Sequence, residues 1–269
     1  MLGSSRQSLS ALQASVDARR DEQGFDAVSP DLLAVAGVLG GEKSLSVALA
    51  DAGQAAPVRT GIVESLFASR INPVSLTILK DIVLARWSSE LDLVEAVEAT
   101  GAQAAFIAAE KQGVLDRVED ELFTFGRAVD ESAELQMTLT DPSLGADRKG
   151  AIVRDIVGPT ASPITTELLT YLAGNLYGRR PSSAVENLGR IASEQRSQVL
   201  AEVRTVIALT DEQKSRLTAA LSKLQNRQVR LNVVIDPEVL GGIVVRIGDD
   251  VIDGSVAARL EQARRAVTV

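Results

Sequence analysis

From about Gln7 to Leu200, apolar residues recur at steps of three and four, the spacing that lines one face of an α-helix. Leu9, Leu12 and Val16 begin such a stripe. Asp31 to Leu39 carries the next, which Gly40-Gly41 is expected to end. Arg59 to Phe67, Val74 to Trp87 and Leu91 to Glu98 follow. Leu76, Leu79, Val83 and Trp87 illustrate the step, and Asn72-Pro73 marks the turn before them. Nothing in this stretch alternates in the manner of a strand.

The period changes near the C-terminus. Gln195 to Leu209 runs from a charged helix into Val203, Thr205, Ile207 and Leu209, an alternation that predicts a strand. Thr210 and Gln213 have the spacing of a capping box, and Leu217, Ala220, Leu221 and Leu224 are the expected buried face of the helix it opens. Val229, Leu231, Val233 and Ile235 then fall on one face of an extended chain, with Arg230 and Asn232 on the other. Asp236-Pro237 stops that pairing, since proline has no N–H to donate. Gly241-Gly242 permits a left-handed turn that β-carbons would resist. Ile243 to Ile247 is a further strand, Gly248-Asp249-Asp250 a hairpin signal, and Val251-Ile252 the last strand, ended by Asp253-Gly254. Ser255 can cap a closing helix that buries Val256, Leu260, Ala263 and Val267, with Arg264 and Arg265 at its C-terminal dipole end. The C-terminal part therefore reads β-α-β-β-β-α.

Sliding the helical region past itself exposes a repeat. At offsets of 89 or 90 positions, Gln23-Gly24 matches Gln112-Gly113, Asp51 matches Asp141, Arg59-Thr60-Gly61 matches Arg148-Lys149-Gly150, and Asn72-Pro73-Val74 matches Ser162-Pro163-Ile164. Leucines in register are common to any two amphipathic helices, so the polar, glycine and proline matches carry the case for a duplicated helical domain. The expected organisation is 1–105 for the first bundle, 106–200 for the second and 201–269 for a small α/β domain, a mostly α chain overall.

The chain has 269 residues, enough for more than one core, and is 45% hydrophobic but only 3% aromatic, which favours helix-rich packing. Its net charge is −8, which speaks against nucleic acid or anionic lipid as a partner. It contains neither cysteine nor histidine, so disulfides, Cys or His metal sites and every Ser-His or Cys-His catalytic arrangement are excluded. The N-terminal MLGSSRQSLSALQASV has no continuous apolar core of signal-peptide type. The longest near-apolar run, Leu32 to Leu39, is far short of the roughly 20 residues needed to cross a bilayer, so no direct membrane insertion is expected.

Candidate chemistry is sparse. Gly37 to Ser44 superficially resembles a phosphate loop, but Glu42 stands where such a loop needs glycine before Lys43, and no strand precedes it. Asp249, Asp250 and Asp253 lack the spacing of an EF-hand loop and read as turn acids. Glu119-Asp120-Glu121 reads as a solvated helix face, and Trp87 as a residue packed in the first bundle. No catalytic constellation, metal site or cofactor site is expected.

The ordered set Ile235-Asp236, Val239, Gly241-Gly242, Val245-Arg246, Gly248 and Val251-Ile252-Asp253-Gly254 closely resembles the C-terminal signature of the delta subunit of the F-type ATP synthase, the oligomycin-sensitivity-conferring protein of mitochondria. Phe106 to Asp116 is similar to the opening helix of that family's N-terminal bundle, and Val118 to Phe125 to the start of its next helix. The resemblance implies a long form of the family, with two bundles of about six helices each. It implies a structural stator subunit with no catalytic role, present in one copy per complex. Such a subunit links alpha-subunit N-termini on the catalytic head to a b-type peripheral stalk. It would be peripheral to the cell membrane, on the cytoplasmic side. Residues 106–200 are then expected to keep the alpha-subunit contact, with 1–105 as an added clamp or spacer. The groove would lie between Phe106–Gln112 and Thr166–Leu176, with Phe106, Ala109, Leu169 and Leu172 as contact residues. Asp236, Gly241, Gly242, Arg246, Gly248, Asp253 and Gly254 are the structural motif. Two other readings remain open: a helical-repeat scaffold unrelated to ATP synthase, and an enzyme that binds an anion at Gly241-Gly242.

Overall fold

The computed structural model describes residues 3–196, 199–225, 229–237, 239, 241–247 and 250–254. These fall into two units, Met1–Arg196 and Ser197–Val269. In the first, α1 (Ser4–Ala18), α2 (Val28–Gly41), α3 (Lys43–Ala50), α4 (Ala56–Phe67) and α5 (Pro73–Leu84) close around one core together with α6 (Glu90–Lys111). The same α6, with α7 (Leu115–Glu131), α8 (Ala133–Thr140), α9 (Ala146–Val157), α10 (Pro163–Gly174) and α11 (Pro181–Arg196), closes around another. The starts are written locally. Proline stands in the first turn of α4, α5 and α10, and the side chains of Asn72, Ser89 and Ser132 accept from Val74, Asp92 and Leu135 N–H.

The duplication is visible helix by helix. α3, α4 and α5 begin at residues 43, 56 and 73, and α8, α9 and α10 begin 90 positions later. The two copies meet by sharing α6, the last helix of one and the first of the other. Leu93, Val97 and Ile107 enter the first core, while Ala99, Ala102, Phe106 and Ala109 enter the second. The expected separate helices at Leu91–Glu98 and from Phe106 are therefore one element, and the boundary expected between residues 105 and 106 falls inside it. Gly101, between them, costs about 1 kcal/mol relative to alanine, and it lies against α2. A Cβ there would sit 3.2 Å from Leu33 and 3.3 Å from Leu32. A helix buried on nearly every side needs small residues, and the run Ala102 to Ala109 has them.

α2 ends at Gly40-Gly41 as expected, with both glycines in its last turn. Gly40 lies beneath the Tyr177 ring, which a β-carbon would overlap. Trp87 is buried as expected and donates its indole N–H to Ile82 O at 2.8 Å. No single helix among the described residues is long and apolar enough to cross a membrane.

The second unit is a mixed sheet in the order β2-β1-β3-β4, built from β1 (Val199–Thr205), β2 (Val229–Ile235), β3 (Ile243–Ile247) and β4 (Asp250–Asp253). β1 and β2 run parallel, joined through α12 (Asp211–Gln225). β3 is antiparallel to β1, and β4 to β3. Ala201, Val203, Leu221, Val229, Val245 and Ile247 form its core. The capping box is present: Gln213 N–H donates to Thr210 Oγ1 at 3.3 Å, and Thr210 N–H donates to Gln213 Oε1 at 2.9 Å. Two expectations need correction. β1 lies four residues earlier than the alternation suggested, ending at Thr205, and Ile207 is 73% exposed. Thr205 O still accepts the Asp236 N–H from the end of β2, and the Thr205 hydroxyl then donates to Ile207 O, a local bond that turns the chain away. On α12, Leu221 is buried and Leu217 packs beside it, but Leu224 is 66% exposed and Ala220 is exposed too. The closing helix expected from Val256 lies outside the described residues.

Candidate functional site

The densest polar site of the helical unit is the seam where the two copies meet. The short α10–α11 connection places Tyr177 at φ 50°, followed by Gly178 at φ 78°, a left-handed pair that costs a non-glycine residue energy and is held by what its side chain reaches. Tyr177 Oη donates to Ala36 O of α2 at 2.9 Å. Beside it, Arg179 grips Glu98 of α6 with two bonds, Nη1 to Oε1 at 2.7 Å and Nη2 to Oε2 at 2.8 Å. Tyr171 Oη donates to the same carboxylate at 3.3 Å. Two further Arg179 N–H groups, on Nε and Nη2, donate to Leu176 O and Asn175 O, both at 3.0 Å. Glu98 is only 3% exposed. Burial together with that carboxylate pushes the Tyr171 phenol far above its usual range, so it stays a donor. Burial alone would lower the Arg179 guanidinium, but the Glu98 bonds outweigh it and hold it charged. The carboxylate and the guanidinium meet in two bonds across the seam, so the cluster acts as a clasp.

A second device recurs once per copy. Asp31 Oδ2 accepts from Asn72 N–H at 2.8 Å and from the Ser75 hydroxyl at 2.6 Å, tying α2 to the start of α5. Ninety positions on, Glu121 accepts from Ser162 N–H at 3.0 Å and from the Thr165 hydroxyl at 2.5 Å, tying α7 to the start of α10. An anion at a helix N-terminus is favoured by the free N–H groups and the dipole. Sequence reading missed this, since it placed Glu121 on a solvated face. The signal was available in acids standing at equivalent repeat positions, 31 and 121. Burial would raise the Glu121 carboxyl, but the Thr165 and Ser162 bonds and Arg117 together hold it below the usual range. Glu121→Ala is expected to reduce stability by about 1–2 kcal/mol at pH 7. A depressed pKa contributes stability above the unfolded value near 4.5 and loses it as pH falls through the lower folded value, so the deficit narrows in acid. Urea titrations at pH 7 and in acid check this; an equal deficit at both would mean that the charge plays no part.

The residues expected to touch a partner are interior. Phe106 and Ala109 on α6, and Leu169 and Leu172 on α10, all belong to the second core and are buried. Their apolar stripe faces the core, not an open groove. The α6–α10 pair also already holds a helix, since α2 packs against both. What remains open there is a cleft of about 930 Å³ walled by Pro30, Leu33 and Ala34 of α2 and by Thr166, Thr170 and Tyr171 of α10, with the end of α9 at its mouth. A smaller groove of about 650 Å³ runs between α7 and α11.

In the C-terminal unit the motif residues cluster around the turns. Asp236 closes β2, donating its N–H to Thr205 O at 2.8 Å and pairing with Arg204 at 3.5 Å. Gly241 and Gly242 have φ of 69° and 80°, so the left-handed turn expected there is present. Arg246 is exposed on β3, opposite Glu202 and Val251. Asp253 pairs with Val244, and Gly254 N–H donates to Ile243 O at 2.9 Å, an oxygen that a Cβ at Gly254 would crowd at 3.2 Å. Ile247 pairs with Asp250, and Gly248 and Asp249 lie outside the described residues. Among the described residues no group of acids is placed to hold a metal ion, and Gly37 to Ser44 is helical apart from Glu42.

A family model, ATP synthase delta (OSCP) subunit, matches residues 97–267, that is, from the middle of α6 through the second copy and the C-terminal unit. The chain belongs to this family. Relatives named ATP synthase subunit delta match nearly end to end. That of Streptomyces avermitilis is 41% identical over 98% of this chain and 97% of its own length. Those of Streptomyces griseus and Frankia casuarinae are each 38% identical, over 98% and 99% of this chain and 98% and 99% of their own lengths. The first helical copy, which the family model leaves out, is thus covered in these delta subunits too. A chain from the mitochondrial ATP synthase hexamer of Toxoplasma gondii is 25% identical, covering 62% of this chain and 95% of its own, at a TM-score of 0.27, too low to bear on the fold.

Proposed function

We propose that this delta-family chain is a non-catalytic stator subunit. The helical unit would hold alpha-subunit N-termini on the catalytic head, and residues 201–269 would bind the b-type peripheral stalk. One copy would serve each complex, on the cytoplasmic side of the cell membrane. The observation that carries this reading is the family match across α6 to the C-terminal unit. The architecture suits the task, since a part that resists rotation needs stiff joints, and the Glu98–Arg179 clasp and the shared α6 make the two copies one unit.

In this reading the alpha-subunit helix enters the cleft between α2 and α10, with the first copy supplying one wall as a clamp. Helix-in-groove binding of this type reads apolar anchors at i, i+3, i+4 and i+7. The test is a pair of titrations, of the full chain and of residues 1–196, against an alpha-subunit N-terminal peptide and the soluble part of the b-type stalk. We expect the shortened chain to retain the first and lose the second. Undiminished stalk binding without residues 197–269 would remove the C-terminal assignment.

A further inference from the structure

We propose that the groove between α7 and α11 is a docking site for a basic amphipathic helix of a partner protein, seated on Phe123. The repeat supplies the first argument. α7 is the counterpart of α2, and Phe123 stands 90 positions after Leu33. Leu33 is 3% exposed, pressed into the seam where the second copy covers the first. Phe123 is 69% exposed, with no further helical copy against it among the described residues. The helix-receiving face used within the chain is thus presented again, open, on the second copy. A repeat that only terminates an array replaces the apolar residues of its outer face by polar ones. Here the apolar position carries a phenyl ring instead. The groove has a shape to match, with Gly126 and Gly189 leaving its floor without side chains between Phe123 and Val185.

Charge selects the occupant. The lining includes Asp116, Glu119, Asp120, Asp130 and Glu186 against two cations, Arg127 and Arg196. Arg127 is engaged by Glu131 at 2.7 Å, and Arg196 by Glu119 at 3.2 Å and Asp116 at 3.8 Å. No ion pair engages Asp120, Asp130 or Glu186 among the described residues. In the covered copy, the counterparts of Asp120 and Asp130 are Pro30 and Gly40, both uncharged. The open face has therefore kept the apolar seat and acquired an acidic rim, which complements a helix with one apolar stripe and lysine or arginine beside it. A second copy of this chain fits poorly, since each carries a net charge of −8.

The experiment uses the full chain and a fluorescent amphipathic peptide of about 18 residues, long enough for several helical turns, with leucines on one face and lysines flanking them. A second peptide carries glutamates in place of the lysines. Anisotropy should show saturable binding of the lysine peptide only, weakening with salt. Phe123→Ala should weaken it about tenfold or more with an unchanged melting temperature, as for an exposed anchor. Asp130→Lys and Glu186→Lys should each weaken it, while Asp147→Lys, the same charge change on exposed α9, should not. Unchanged affinity in Phe123→Ala, or equal losses from Asp147→Lys and Glu186→Lys, would overturn the site. A concentration-dependent dimer that disappears in Phe123→Ala would overturn the partner-helix assignment in favour of self-association. These outcomes are separate from alpha-subunit and stalk binding, which use other ligands.

Discussion

Arg179→Met should be among the most damaging single substitutions in the helical unit, destabilising it by about 3–5 kcal/mol, the range for breaking one side of a buried ion pair. The Glu98 carboxylate, 3% exposed, would keep only the Tyr171 hydroxyl as a partner among those described above. Asn175 O would lose the Arg179 side-chain donor and Leu176 O would keep only the main-chain N–H of residue 179, loosening the connection that carries Tyr177. The cause can be separated from simple loss of packing. Glu98→Leu combined with Arg179→Met removes both charges and should recover most of the deficit, because two well-packed apolar residues replace a buried pair at little net cost. Denaturant titrations of the wild type, the single variants and the double variant form the cycle. A double variant no more stable than Arg179→Met would show that the charge left behind is not what destabilises it.

The helices and the small sheet were legible in the sequence wherever the period was clean. Asn72-Pro73, the Thr210/Gln213 box and Gly241-Gly242 all act locally, and all three are found as read. The duplication was legible for the same reason, since a fixed offset of glycines, prolines and acids survives whatever the packing does. The seam was not. Arg179 meets Glu98 across 81 positions and Tyr177 meets Ala36 across 141, and no local pattern announces a contact at that separation. α6 failed for another reason. Its run of alanines offers no stripe, since a helix packed on both sides has no polar face to contrast with its apolar one. The same ambiguity misplaced Phe106 and Leu169, because periodicity locates an apolar face without saying whether a core or a partner covers it.

Phe106→Ala separates those two possibilities. Phe106 is fully buried on α6, with Leu169 and Leu172 in the same core. Truncating a buried phenylalanine removes its transfer free energy and leaves a cavity, together about 3–5 kcal/mol. Closure of the cavity is resisted here, because α6 is held from its other side by the first core through Leu93, Val97 and Ile107. For a chain of this size the melting temperature should fall on the order of 10 °C. The helical unit should still unfold in a single transition, since α6 belongs to both of its cores and neither can loosen alone. Calorimetry of the full chain and of residues 1–196 reads both quantities and sets aside any transition of the C-terminal unit. Two separated transitions in residues 1–196 would mean that the copies unfold independently despite the shared helix. An unchanged melting temperature with lost affinity for an alpha-subunit peptide would return Phe106 to the surface, and with it the open α6–α10 groove.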